Sequence, residues 1–257
     1  MRKHTFLILA LSLSVVLGVI GIASAEKPVV VEAGNLKWTF NAGLTPKSLQ
    51  KDVFKPAALV FAGKVQTADA SQPPPMSELV LKLDRNVAID TSGYPTCTVD
   101  RLRHRDTLAV ERDCGSAVAG EGNVTVSGVS SGPIPAVSKG IVFNGGIQGR
   151  TTTLYVHSDQ FGLAPGALVI PIRITEVDDG RFGTKAVATI PPIANGTGWV
   201  TSFDLTINKN LKLKGKPFSM LDAKCPDGHL NVRGNAIFED GTRAGAEVTR
   251  PCTGLER

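Results

Sequence analysis

From residue 26 onward, apolar side chains recur at every second position far more often than at every third or fourth, and period two is the mark of a half-buried strand. Short runs rich in Val, Ile, Thr and Phe alternate with clusters of Gly, Pro, Asn and Asp, so strands joined by tight turns are expected. The spacing predicts strands over 58–67, 78–83, 123–127, 139–143, 152–157, 168–175, 184–190, 199–207, 221–225, 230–238 and 245–250. Asp178-Asp179-Gly180, Pro226-Asp227-Gly228 and Glu239-Asp240-Gly241 read as hairpin turns, with glycine where a positive φ is needed. In the strand over 230–238, Val232, Gly234, Ala236 and Phe238 form the expected core face, and Ile237 is the odd residue on the other side.

Two segments depart from this rhythm. Thr45 followed by Pro46 reads as a helix N-cap with proline at the first helical position, opening a short turn through Gln50. Residues 99–112 carry Leu102, Leu108 and Val110 too irregularly for a strand, with many charges between them, and are expected to be helical. The fold class predicted is all-β, an antiparallel β-sandwich of immunoglobulin-like or jelly-roll-like type, with this short helical insert. If the mature region divides, the glycine- and proline-rich stretches within 130–149 are where it would do so.

Residues 1–25 form a layout of their own. Arg2, Lys3 and His4 precede an apolar run from Phe6 to Ile22, and Ala23-Ser24-Ala25 closes it. Basic start, apolar middle and small residues at −3 and −1 are the three parts of a secretory signal peptide. An uncleaved N-terminal anchor is the rival reading, because the apolar run is long; Ser12, Ser14, Gly18 and Gly21 weigh against a stable span. Removing 1–25 leaves 257 − 25 = 232 residues, enough for one large β domain or two small ones. Arg2 and Lys3 leave with the leader, so the formal charge falls from +5 to 26 − 23 = +3. Such a mild surplus excludes the concentrated field of a dedicated nucleic-acid binder. No second apolar stretch is long enough to halt in a membrane.

All four cysteines, Cys97, Cys114, Cys225 and Cys252, follow the leader. An even count in an oxidising compartment predicts two disulfides. Three pairings exist; Cys97–Cys114 and Cys225–Cys252 are favoured because each closes a local segment. Each such loop is worth about 3 to 4 kcal/mol in the chain-entropy model. In the first pair the cysteines would bracket the helical insert and pin its ends. Zinc is disfavoured, since no Cys-x-x-Cys occurs and His104 and His229 show no ligand spacing to the thiols. No cofactor is expected.

Motifs for catalysis are thin. Gly128-Val129-Ser130-Ser131-Gly132 matches a nucleophile elbow, but Pro133-Ile134-Pro135 forbids the helix that must follow. His157-Ser158-Asp159 places triad residue types side by side, where alternate strand positions face opposite ways. Asp84 and Asp90 are candidates for a carboxylate pair, though the residues around them read as turn chemistry. Asp178 with Asp179, and Glu239 with Asp240, lack the spaced oxygens of a calcium loop. Basic residues gather as Arg101, Arg103 and Arg105 in the insert and as Lys212, Lys214 and Lys216 near a strand end, and either group is a candidate contact for a polyanion. Trp38, Trp199, Tyr94 and Tyr155 are the only Trp and Tyr residues, too few for sugar stacking, and Trp199 is expected in the core.

Certain stretches carry a resemblance: Leu83-Asp84-Arg85-Asn86, Ile89-Asp90 leading to Gly93-Tyr94-Pro95-Thr96-Cys97, Phe143-Asn144-Gly145-Gly146, Gly180-Arg181-Phe182-Gly183-Thr184 and Lys224-Cys225-Pro226-Asp227-Gly228. Over about 56–252 the chain resembles uncharacterised exported β-rich proteins of high-GC Gram-positive bacteria. The resemblance implies export and no particular activity. The expectation is therefore a secreted or envelope-associated protein with a non-catalytic binding or structural role, whose partner is an anionic envelope polymer or another surface protein. The alternative is a secreted hydrolase whose site assembles from dispersed residues.

Overall fold

A computed structural model describes residues 27–128, 136–159, 167–207, 211–213 and 216–256. The first third contains β1 (Val29–Ala33), β2 (Leu36–Thr45), β3 (Ser48–Gln50), β4 (Lys55–Pro56), β5 (Ala58–Thr67), β6 (Met76–Asp84) and β7 (Val87–Ile89). Two helices follow, α1 (Val99–Leu102) and α2 (Thr107–Cys114), and then β8 (Val118–Gly128), β9 (Ala136–Gln148), β10 (Thr151–Asp159), β11 (Ala167–Asp179), β12 (Phe182–Thr189) and β13 (Gly198–Ile207). The last third holds β14 (Leu211–Leu213), β15 (Lys216–Phe218), β16 (Leu221–Ala223), β17 (His229–Phe238), β18 (Arg243–Pro251) and β19 (Thr253–Leu255). Among the described residues, no helix is long and apolar enough to cross a membrane.

Every strand expected from the alternation is present, and the chain is all-β and antiparallel in its main sheet. The two-sheet sandwich is replaced by a single sheet of twelve strands in the order β1-β2-β5-β13-β8-β9-β10-β11-β12-β6-β17-β18. It curls until its two ends, β1 and β18, lie against each other, giving a nearly closed barrel. Sandwich and barrel impose the same period-two burial on each strand, so the alternation alone does not distinguish them. Inward-facing side chains from all round the wall fill the interior, with Trp38, Phe40, Leu83, Leu154 and Phe238 fully buried. Trp38 stacks on Phe40 at 6.0 Å between ring centroids. The core face of β17 is the expected one, and Gly234 is required there because a Cβ would sit 2.6 Å from the Phe40 ring. Trp199 departs from expectation: it is half-buried, at the rim, next to Ile193 and Gly198.

Short elements gather at the end of the barrel where β2, β6 and β18 finish. β16 pairs with β4 on one side and β7 on the other, and β3 pairs in parallel with β19. Their Leu49, Leu221 and Ala223, with the adjacent Met220, join the main core. This corrects the helical turn expected after Pro46. Residues 48–50 are the strand β3, because Thr253–Leu255 offers them a ladder and Leu49 is buried by taking it; tertiary pairing overrides a local capping signal.

The insert is helical as expected, in two pieces, and Cys97–Cys114 spans it. It lies on the outer face of the sheet and makes a second core, in which Leu102 and Val110 pack on Val118, Ile141 and Phe143. Asp106 caps α2 by accepting from the Ala109 N–H at 2.7 Å.

Candidate functional site

An open groove of about 710 Å³ lies where the short sheet meets the barrel wall. One side is the segment from Arg85 to Asp90 that contains β7; the other is built by Ile147 of β9, Arg150 of the β9–β10 turn, Thr152 of β10, Ile174 and Glu176 of β11, and Thr184 of β12. Its lining mixes apolar side chains such as Val87, Ile147 and Ile174 with Thr152, Thr175 and Thr184, and carries four ionisable groups: Arg85, Asp90, Arg150 and Glu176. Arg150 and Glu176 approach each other only to 4.0 Å and are both highly exposed. A volume of roughly 300 to 1,000 Å³ is typical of ligand sites.

The backbone of β7 is the least ordinary feature of this groove. Among the described residues β7 is the edge strand of its sheet, paired with β16 alone. The Asp90 N–H donates to the Met220 carbonyl at 2.9 Å, and the Lys224 N–H donates to the Asn86 carbonyl at 3.0 Å. Hydrogen-bonded pairs alternate in an antiparallel ladder, so Ala88 bonds to Asp222 and the amides and carbonyls of Val87 and Ile89 are directed away from β16, along the groove side. A β-edge of this kind is a template for another strand.

What holds β7 at the groove is a polar knot just before it. Asp84 is buried and accepts four hydrogen bonds: from the Asn86 N–H and Nδ2 at 3.0 and 2.9 Å, and from the Asn231 N–H and Nδ2 at 3.2 and 3.1 Å. Asn231 Oδ1 in turn accepts from Thr249 Oγ1 at 2.8 Å and from Arg181 at 3.3 Å. The chain turns tightly here because the Arg85 N–H donates to the Arg181 carbonyl at 2.8 Å. Arg85 also donates through Nη2 to the Gly180 carbonyl and meets Asp178 at 3.5 Å, next to the turn in which Gly180 takes a positive φ. Lys82 holds Asp179 in an ion pair and keeps its carboxyl below the usual range.

The suspected carboxylate pair does not form a site. Asp84 is saturated within the knot, while Asp90 sits on the rim and accepts from the Ser92 N–H at 2.8 Å. Neither does His157-Ser158-Asp159. His157 faces outward beneath the insert, fully buried, edge-on to Phe143, with Nε2 at 3.0 Å from the Arg105 carbonyl and no partner at Nδ1. Burial pushes its pKa down. Ser158 faces the other way and donates to the Lys139 carbonyl at 3.2 Å. His229 is half-buried, with Asp227 at 3.8 Å. Asp240 is used within its own turn, accepting from Thr242. The Gly128-Val129-Ser130-Ser131-Gly132 motif lies outside the described residues after Gly128. Among the described residues, no group of three or more His, Cys, Asp and Glu is placed to hold a metal ion.

Both disulfides are those favoured from sequence, Cys97–Cys114 and Cys225–Cys252, and the described residues include no free cysteine. Arg101 and Arg103 are exposed on the insert. Arg105 is bound to Asp113 at 2.7 Å, and Arg112 reaches the same carboxylate at 3.0 Å; together they pull its pKa down. Over 99–114 four arginines meet Asp100, Asp106, Glu111 and Asp113, so the insert's formal charge is 4 − 4 = 0. Lys212 and Lys216 lie on β14 and β15, which pair with each other; Lys214 lies outside the described residues.

Of the groove residues Asp90 was a candidate from sequence, and Arg85, Ile89, Gly183 and Thr184 lie in the stretches that carry the resemblance, but no local pattern joins them into one groove. Val87-Ala88-Ile89 is too short to show a period, and its partner β16 lies more than 130 positions away along the chain. Comparison with protein-family models, with curated proteins and with solved structures found no match for this chain.

Proposed function

We propose that the chain is an extracytoplasmic protein that binds its ligand, without chemistry, in the groove between β7 and the barrel wall. The observation that carries this reading is the groove itself: about 710 Å³, with a mixed apolar and polar lining that includes four charged side chains. Export is supported by the leader pattern of residues 1–25 and by two disulfides closing after it. It also agrees with the resemblance to exported proteins. A hydrolase built from the candidate residues finds no support, since His157 is walled off from the groove and Asp84 has its lone pairs engaged. Docking of an anionic polymer through the insert is weakened by its balanced charge, with Arg105 already paired.

Retention of the purified protein on envelope fractions, over a salt series, tests the reading with two variants. Ile147→Glu puts a charge on the half-exposed apolar lip of the groove; Arg101→Glu with Arg103→Glu reverses the two exposed arginines of the insert. Retention that falls at least tenfold with Ile147→Glu and holds with the insert variant is expected. Retention lost only with the insert variant would replace the groove with the polyanion surface.

A further inference from the structure

We infer that the groove takes an extended polypeptide segment, which adds as an antiparallel strand to the free edge of β7; this rests on the groove being the binding site. The main chain of β7 sets out the contacts. Val87 and Ile89 are two residues apart, about 7 Å along a strand, and each directs an N–H and a carbonyl away from β16. Asn86 and Asp90 are accounted for on the other side by Lys224 and Met220, so the unpaired groups are confined to the stretch that lines the groove. A small polar solute cannot satisfy four groups at ladder spacing in one line, whereas the backbone of one strand does so without distortion.

Rim charges fix the direction. Arg85 stands at the N-terminal end of β7 and Asp90 at its C-terminal end. An incoming strand running antiparallel brings its own C-terminal side to Arg85 and its N-terminal side to Asp90. A segment with Lys or Arg early and Asp or Glu late is therefore complementary, and the reversed segment sets like charges together, which is unfavourable. Between its ends, alternate side chains of the segment would face Ile147 and Ile174 of the groove lining, the alternation that gives strand addition its specificity.

The probe is a capped hexapeptide, Lys-Val-Thr-Val-Thr-Glu, with its reversed sequence and a form N-methylated at the two central residues. In the full-length protein, hydrogen exchange at Val87 and Ile89 should be fast without peptide and slow with it, while Ala88 is slow throughout. N-methylation, or reversal of the sequence, should weaken binding at least tenfold. Ile89→Pro should do the same, since it deletes a groove-side N–H and leaves the Asp90–Met220 bond in place. Methylation uses unaltered protein, so it decides the matter even if the proline variant fails to fold. Equal affinity for the methylated and unmethylated peptides would overturn strand addition. Protection of Val87 and Ile89 in a concentration-dependent dimer without peptide would also overturn it, in favour of a second copy at the edge. Failure of the groove reading is separate: it shows as peptide or envelope binding that Ile147→Glu leaves unchanged.

Discussion

His157 is buried in the folded protein, and that burial favours its neutral form. Nε2 lies 3.0 Å from the Arg105 carbonyl and must be the nitrogen that carries the proton there, which leaves Nδ1 bare among apolar atoms. Protonation would place a second N–H where nothing accepts it, and burial outweighs the Arg105 carbonyl bond and the fields of Asp159 and Asp106, all of which favour the charged ring. In the unfolded chain the same ring takes its proton near pH 6.5. As pH falls below about 6.5, the unfolded state binds the extra proton first, and stability is lost at up to about 1.4 kcal/mol per pH unit. The loss levels off once pH passes the depressed folded value, and above pH 6.5 the contribution vanishes. Urea titrations from pH 7.5 to 5 should show this slope, and His157→Gln, which keeps a donor for the Arg105 carbonyl, should flatten it. Parallel curves for the two proteins would show that His157 is not the group responsible. None of this environment was legible in His157-Ser158-Asp159, because the strand pattern separates the two faces but does not say that an insert covers one of them.

Each disulfide serves a different element, and the two should fail differently. Cys97–Cys114 closes seventeen positions around α1 and α2, and both cysteines belong to the small outer core with Leu102 and Phe143. Cys225–Cys252 closes twenty-seven, with Cys225 fully buried in the main core beside the short strands. Loop entropy alone gives each about 3 to 4 kcal/mol. Replacing Cys97 and Cys114 by Ser should raise hydrogen exchange over 97–114 while β10 and β17 stay protected. Replacing Cys225 and Cys252 should lower the melting temperature of the whole barrel and speed exchange in β3, β16 and β19. Identical exchange maps for the two double variants would refute the separation of the cores. At this scale the sequence was informative wherever a strand was long enough to repeat its alternation, as in Ala58–Thr67, whose ends were placed correctly. β2 carried the same signal in Leu36, Trp38, Phe40, Ala42 and Leu44 and was overlooked. β3, β4, β7 and β19 have two or three residues each and owe their state to distant partners, so the edge that lines the groove had no local signature.

The whole molecule turns on how a sheet with two ends avoids leaving both of them open. Twelve strands alternate inward and outward as either a sandwich or a barrel would require; the choice lies in pairings across the chain, such as β6 with β17 and β5 with β13, which no local pattern encodes. Closure here is incomplete, because β1 and β18 meet without a ladder. Arg250 of β18 crosses the seam instead: its Nε donates to the Ala42 carbonyl at 2.7 Å, and its Nη2 donates to Asn41 Oδ1 and to the Lys27 carbonyl at 3.3 Å. A guanidinium suits this position, since it offers several donors in a fixed fork and stays charged at any working pH. Charge-assisted bonds in a half-buried place are worth about 1.5 to 3 kcal/mol each when broken singly, though losses from one side chain do not add. Arg250→Ala should therefore destabilise the protein by about 2 kcal/mol and speed exchange in β1 and β18 selectively, with β8 to β11 unchanged. Unaltered exchange in β1 would mean that apolar contacts hold the seam, with Val29 and Val31 packed on the same core as Ala246 and Val248, and that the Arg250 bonds are incidental to closure.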